Sequence, residues 1–155
     1  MDQILKILKV LKIYFDSCCY GRPQDDQTQP TIEAETIAIG GIINICRIAG
    51  YSIIGSTAVL DEILANPNDE TREADEELFT NTITHFIDTW DAQRAQELHA
   101  QGLSVGDSGH LAAAEAAGAD VLVTVDQDFE RIATGRKLSI VRVINPLTFL
   151  GEAII

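Results

Sequence analysis

Apolar residues in this chain fall into short runs, and the spacing of the runs changes between extended and helical periods. Val10 to Phe15 reads as a buried strand, with Ile13 and Tyr14 favouring the extended state, and it stops at Asp16. Upstream, Ile4, Ile7, Leu8 and Leu11 fit a helical stripe as well as a longer strand, so residues 2–9 stay open. Gly21 to Pro30 is polar and carries prolines, which predicts a loop. Thr31 to Ile48 has helical periodicity through Ile32, Ile37, Ile42 and Ile45, although the Gly40-Gly41 pair lowers local propensity. Gly50 suits the C-cap of that helix.

The alternation continues to the end of the chain. Tyr51 to Ile54 reads as a short strand, and Ser56 as the N-cap of a helix over Thr57 to Leu64 that ends before Asn66-Pro67. Asn68 or Asp69 can cap a further helix over residues 70–79. Its acids Asp69, Glu70, Glu73, Asp75, Glu76 and Glu77 read as a solvated face. Asp91 to Gln101 and Leu111 to Ala117 are helical, closed by Gly102 and Gly118. Val121 to Val125 is a nearly all-apolar strand, the pattern of burial on both faces. Phe129 to Ala133 suits a short helix, Leu138 to Ile144 a last strand, and Asn145-Pro146 opens a C-terminal helix. Strands alternating with helices predict an α/β fold: a single domain over residues 1–155, three layers deep, with a mostly parallel central sheet between helices.

Composition agrees with one packed domain, since 46% of the 155 residues are hydrophobic and 23% charged. Charge changes the picture more. Eleven Lys and Arg stand against 24 Asp and Glu, a formal net charge of -13, which argues against a binder held to nucleic acid by backbone phosphates alone. An enzyme whose carboxylates hold cations is not excluded, because the cations invert the local sign. The three cysteines, two of them adjacent at 18 and 19, suggest no disulfide framework and a reducing compartment. No run reaches the length of a membrane span, and Asp2 with the lysines at 6, 9 and 12 breaks the apolar start, so a soluble cytoplasmic protein is expected.

Two strands end in aspartate, at Asp16 and Asp126, and the carboxyl ends of parallel strands line the ligand crevice of such a sheet. Asp128 follows in the next turn. Each of these acids also suits helix capping or a local turn. Glu62 sits among Val59, Leu60, Ile63 and Leu64, so its part of the helix is not obviously a wet face; Asp61 points about 100° away around the axis. Asp107 opens Asp107-Ser-Gly-His-Leu-Ala-Ala-Ala-Glu115 and shares a face with His110, Leu111 and Ala114, with capping of its own helix as the alternative role. No glycine-rich phosphate loop, Cys-x-x-Cys, histidine metal spacing or nucleophile elbow is present, and His110 reads as a packing or hydrogen-bonding residue rather than a zinc ligand. A cluster of three or four acids repels itself unless hard cations lie between them, and oxygen-only coordination suits Mg²⁺ or Mn²⁺.

The order of these motifs resembles the PIN domain family, the nuclease fold of many prokaryotic toxin–antitoxin toxins. The resemblance is carried by Ile13-Tyr-Phe-Asp-Ser-Cys-Cys-Tyr20 with Arg22-Pro-Gln-Asp-Asp-Gln-Thr-Gln-Pro30, Gly55-Ser-Thr-Ala-Val-Leu-Asp-Glu-Ile63, the segment from Asp107 to Glu115, Val121-Leu-Val-Thr-Val-Asp-Gln-Asp-Phe129 and Val143-Ile-Asn-Pro146. It spans nearly the whole chain. It implies acids at Asp16, Glu62, Asp107 and Asp126, an accessory acid at Asp128, and supporting hydroxyls at Ser17, Ser56 and Thr124. Gly109, Gly55 and the Gly40-Gly41 pair depart from the pattern without removing a carboxylate.

What the resemblance implies is hydrolysis of RNA phosphodiesters with one or two Mg²⁺ or Mn²⁺ ions held by those acids, leaving 5′-phosphate and 3′-hydroxyl ends. It also implies a homodimer and, for a toxin, a small antitoxin whose basic tail covers the site. The alternative is a PIN-like scaffold with little or no catalysis that acts through protein contacts. The acidic balance favours that reading, and the intact set of acids opposes it. Arg22, Arg47 and Arg131 are the basic residues nearest the motifs.

Overall fold

The computed structural model describes residues 10–154, so the open choice for residues 2–9 lies outside it. Five strands form one parallel sheet: β1 (Lys12–Phe15), β2 (Ser52–Ser56), β3 (His85–Ile87), β4 (Val121–Val123) and β5 (Arg142–Ile144). Their spatial order is β3-β2-β1-β4-β5. The chain therefore steps outward from β1 in one direction, then crosses back to β4 and continues the other way. Such a reversal opens a crevice at the carboxyl ends of β1 and β4. Ile13, Tyr14 and Phe15 are each at most 1% exposed although neighbours on a strand face opposite sides, so both faces of the sheet are covered.

Among the described residues the helices are α1 (Ser17–Gly21), α2 (Pro30–Ala49), α3 (Thr57–Leu64), α4 (Asp69–Thr82), α5 (Ala92–Ala100), α6 (Val105–Ala116), α7 (Gln127–Gly135) and α8 (Pro146–Ile154). Capping explains most of their starts. Ser56 accepts the Val59 N–H at 3.2 Å, Asn68 that of Thr71 at 2.9 Å, and Ser104 that of Asp107 at 3.1 Å. With Ser104 as cap, α6 begins six residues ahead of the alanine-rich run. Gly50 closes α2 in the left-handed region, at φ 71°.

The elements differ from the sequence pattern where side chains compete for the backbone. The last strand is confined to Arg142–Ile144 because Ser139 Oγ bonds Glu115 Oε2 (2.6 Å) and the Val141 N–H (3.0 Å), holding those residues out of the ladder. Helix α1 and strand β3 carry no periodic signal of their own. Gly55, which departs from the family pattern, has a packing reason: a Cβ there would meet Phe79 Cζ at 2.7 Å. The acid-rich α4 is solvated as its pattern predicts, with one exception. Asp75 is only 7% exposed, its Oδ1 has no hydrogen-bond partner, and burial followed by the charge of Asp25 pushes its carboxyl up to about 6.

Candidate active site

Asp16 is the first residue after β1, and its N–H continues the ladder to Val123 O at 3.0 Å. That bond fixes the residue at the reversal point of the sheet, where it is 4% exposed. Thr124 donates to its Oδ2 at 3.0 Å, and Ser17 Oγ lies 3.2 Å from its Oδ1. Thr124 Oγ1 also accepts the Asp126 N–H at 3.1 Å, so one hydroxyl ties together the acids that follow the two neighbouring strands.

Glu62 reaches the same crevice from the second turn of α3. His110 Nε2 lies 2.9 Å from Glu62 Oε1, and Ser17 Oγ donates to Glu62 Oε2. His110 Nε2 is also 3.5 Å from Asp16 Oδ1. Ligand atoms of Asp16, Glu62 and His110 all lie within 4.8 Å of one another. Burial alone would raise the Glu62 carboxyl, but the hydrogen bond and charge of His110 and the hydroxyl of Ser17 outweigh it and hold the group below its usual range. The reciprocal effect acts on His110. Burial opposes its protonation, yet Glu62, Asp16 and Asp107 together carry it above the ordinary histidine range.

Asp107 stands one turn before His110 on α6, half-buried. Its carboxyl is pushed up to about 6, first by burial and then by the charges of Asp16 and Asp126. Asp126 N-caps α7, its Oδ1 accepting from Asp128 N at 3.0 Å and Phe129 N at 3.1 Å. Capping and crevice lining are thus combined in one residue. The structure brings Asp107 and Asp126 to the rim of the Asp16 site but outside the 4.8 Å group, whereas Asp128 is exposed and paired with Arg131 at 3.1 Å. Asp61 is exposed, about 100° around α3 from Glu62.

Two features had no counterpart in the sequence reading. Tyr14, 0% exposed on β1, places its hydroxyl 2.7 Å from Ser56 Oγ and 2.8 Å from His110 Nδ1. An isolated Tyr in an apolar strand reads only as core, so its polar end carried no signal. Glu35, buried on α2, binds Arg22 at 2.8 and 3.1 Å and Asn145 Nδ2 at 2.7 Å. Arg22 also pairs with Asp25 at 2.9 Å, so the arginine nearest the first motif is committed to structure. Among the described residues, no Lys or Arg pairs with Asp16, Glu62, Asp107 or Asp126. Beside the acids lies a cleft of about 340 Å³, lined by Ser17, Glu62, Asn66 and Thr71, with Asp25 and Asp75 on its wall.

Converging carboxylates with no Lys or Arg paired to them among the described residues offer hard oxygen donors beside His110, which fits a divalent cation of the Mg²⁺ or Mn²⁺ kind. Residues 25–135 match the PIN domain family. The chain belongs to the PIN domain family. No curated protein matches it. Among solved structures, it is similar to a chain of the VapBC2 complex from Rickettsia felis bound to a DNA fragment from their promoter. The identity is 16%, the TM-score is 0.54, and the match covers 87% of this chain and 98% of that one. The shared α/β PIN fold is what this likeness establishes.

Proposed function

We propose that this PIN domain is a metal-dependent endoribonuclease, acting as the toxin of a toxin–antitoxin pair. The observation that supports this most directly is the approach of the Asp16 and Glu62 carboxylates at the sheet's reversal point, with His110 between them and, among the described residues, no Lys or Arg paired with either. Asp16, Glu62, Asp107 and Asp126 would hold one or two Mg²⁺ or Mn²⁺ ions, with Asp128 as an accessory acid. Bound there, the ions supply polarisation of the phosphoryl group and activation of water. The protein's own part is positional. Thr124 orients Asp16, Ser17 and His110 orient Glu62, Ser56 starts the helix that carries Glu62, and Asp107 stands half-buried at the rim of the crevice.

The related complex with its promoter DNA supports a partnered life for this chain. We read the partner as a small antitoxin with a basic tail that places an Arg or Lys near Asp16 and Asp126. Its charge would complement a chain of net charge -13. The same reading makes the protein a cytoplasmic homodimer; among the described residues, no helix is long and apolar enough to cross a membrane. A second reading, a PIN scaffold that acts only through protein contacts, is favoured by one observation: Arg22 and Arg131 are tied to acids, which leaves the crevice short of cations for RNA. Calorimetric Mn²⁺ titration with cleavage of a varied set of single-stranded RNAs separates the two. Metal binding with RNA cleavage, both lost in Asp16→Asn, supports the nuclease. Metal binding without cleavage of any RNA leaves the scaffold.

A further inference from the structure

We infer that Tyr14 is a positioning residue for Glu62, acting through His110, and that His110 serves the site as a hydrogen-bond donor rather than a metal ligand. The inference rests on the reading of Glu62 as a ligand-bearing acid. His110 Nε2 faces only carboxylate oxygens, Glu62 Oε1 at 2.9 Å and Asp16 Oδ1 at 3.5 Å. Ionised carboxylates accept and never donate, so Nε2 carries a hydrogen. In the neutral ring, the form reached at alkaline pH, Nδ1 is then an acceptor and the Tyr14 hydroxyl, 2.8 Å away, donates to it; in the cation Nδ1 donates to Tyr14 instead, while Nε2 keeps its hydrogen on Glu62. The Tyr14 oxygen in turn accepts from Ser56 Oγ at 2.7 Å, and Ser56 Oγ accepts the Val59 N–H at 3.2 Å.

Run in this direction, every polar hydrogen of the chain from Val59 to Glu62 has an acceptor. Run in reverse, the bare Nε2 lone pair faces a carboxylate, and the Ser56 hydrogen has no acceptor among the described residues. Tyr14, Ser56 and His110 are each at most 1% exposed, so water cannot make up the difference. The Tyr14 and His110 rings meet edge-on, with centroids 5.9 Å apart, which fixes the imidazole plane as well as its hydrogen. Glu62 needs this help. Its side chain is 46% exposed on a surface helix, and without partners it would sample several rotamers. His110 on one oxygen and Ser17 on the other hold the carboxylate in a single pose.

Nitrogen NMR of the metal-free protein at alkaline pH tests the donor assignment. His110 is expected with its proton on Nε2 and a hydrogen-bonded, unprotonated Nδ1, and addition of Mg²⁺ should leave that proton in place. A proton on Nδ1, or loss of the Nε2 proton on adding Mg²⁺, overturns the inference. For Tyr14, calorimetry should show Mn²⁺ affinity falling about tenfold in Tyr14→Phe, with the fold retained. In a His110→Gln background, whose amide can still donate to Glu62, Tyr14→Phe should cost nothing further. An equal loss in both backgrounds would mean that Tyr14 acts by packing alone. If a variant fails to fold, the wild-type spectrum still decides. If the wild type binds neither ion, the metal reading fails separately, while the position of the proton still judges the hydrogen-bond chain.

Discussion

Thr124 donates its hydroxyl to Asp16 Oδ2 at 3.0 Å, so the residue after β4 orients the acid after β1. The same oxygen accepts the Asp126 N–H. Thr124→Val keeps the shape and removes both bonds, leaving a buried carboxylate oxygen without its donor. The variant should lose about 1–3 kcal/mol of stability, read by urea denaturation, and should weaken Mn²⁺ binding.

Charge removal within the site should act differently. Asn keeps the volume of Asp and is an equally good N-cap, so Asp126→Asn should leave α7 intact. Asp16→Asn and Asp126→Asn should each abolish Mn²⁺-dependent RNA cleavage while the metal-free melting temperature stays level or rises, because like charges are relieved. Asp61→Asn should change neither. Loss of Mn²⁺ binding in Asp61→Asn alone would show that the wrong acid of the pair has been assigned.

The raised carboxyl of Asp107 has a signed consequence for stability. An unfolded Asp titrates near about 3.9, and in the fold this one is held at about 6. The folded state therefore binds the proton more tightly. This group favours folding below about pH 4, and that contribution is lost as pH rises through about 6. Asp107→Asn should flatten that part of the metal-free pH–stability curve, gaining at most about 1 kcal/mol at neutral pH because the group is only half-buried. Asp75→Asn should act in the same window and sense, since its carboxyl also sits at about 6. Mn²⁺ affinity should fall as the pH is lowered through about 6, and Asp75→Asn should leave that fall unchanged.

Gly55→Ala tests the packing of the sheet against α4. The added methyl would lie 2.7 Å from Phe79 Cζ and 2.8 Å from Ile83 Cγ2, so the ring or the strand must move. A loss of about 1–3 kcal/mol in chemical denaturation is expected, with the m-value unchanged. A neutral outcome would mean that α4 can shift away from β2 at no cost.

Much of this site was legible because its acids interrupt apolar patterns. Asp16 and Asp126 stop strands, and Glu62 lies among aliphatic neighbours of a short helix. Asp107 and His110 recur one turn apart. Each interruption is a local event that a period-2 or period-3.6 pattern exposes. Tyr14 and Glu35 were hidden for the opposite reason. Tyr14 fits its strand as a hydrophobe, and Glu35 fits its helix as a surface acid; their roles depend on partners 96 and 110 positions away. Asp75 was masked by its own neighbours, since a run of acids reads as solvated even where one of them turns inward. Strand β3, His-Phe-Ile, is too short to show a period, and its place at the sheet edge leaves two of its three residues exposed.

The margins of the sheet have a further consequence, for assembly. Its two outermost strands, β3 and β5, are three residues long each. A newcomer seeking to extend the sheet would find only that short row of open backbone groups on either side. Cross-edge recruitment, the route by which β-rich proteins join into continuous ribbons, thus has little to grip. The homodimer proposed above would then be built from surfaces other than the sheet edges, with the helices that cover the sheet as the natural candidates. Substitutions that break it should therefore map to helices, and lengthening β3 by design would be a direct way to provoke misassembly.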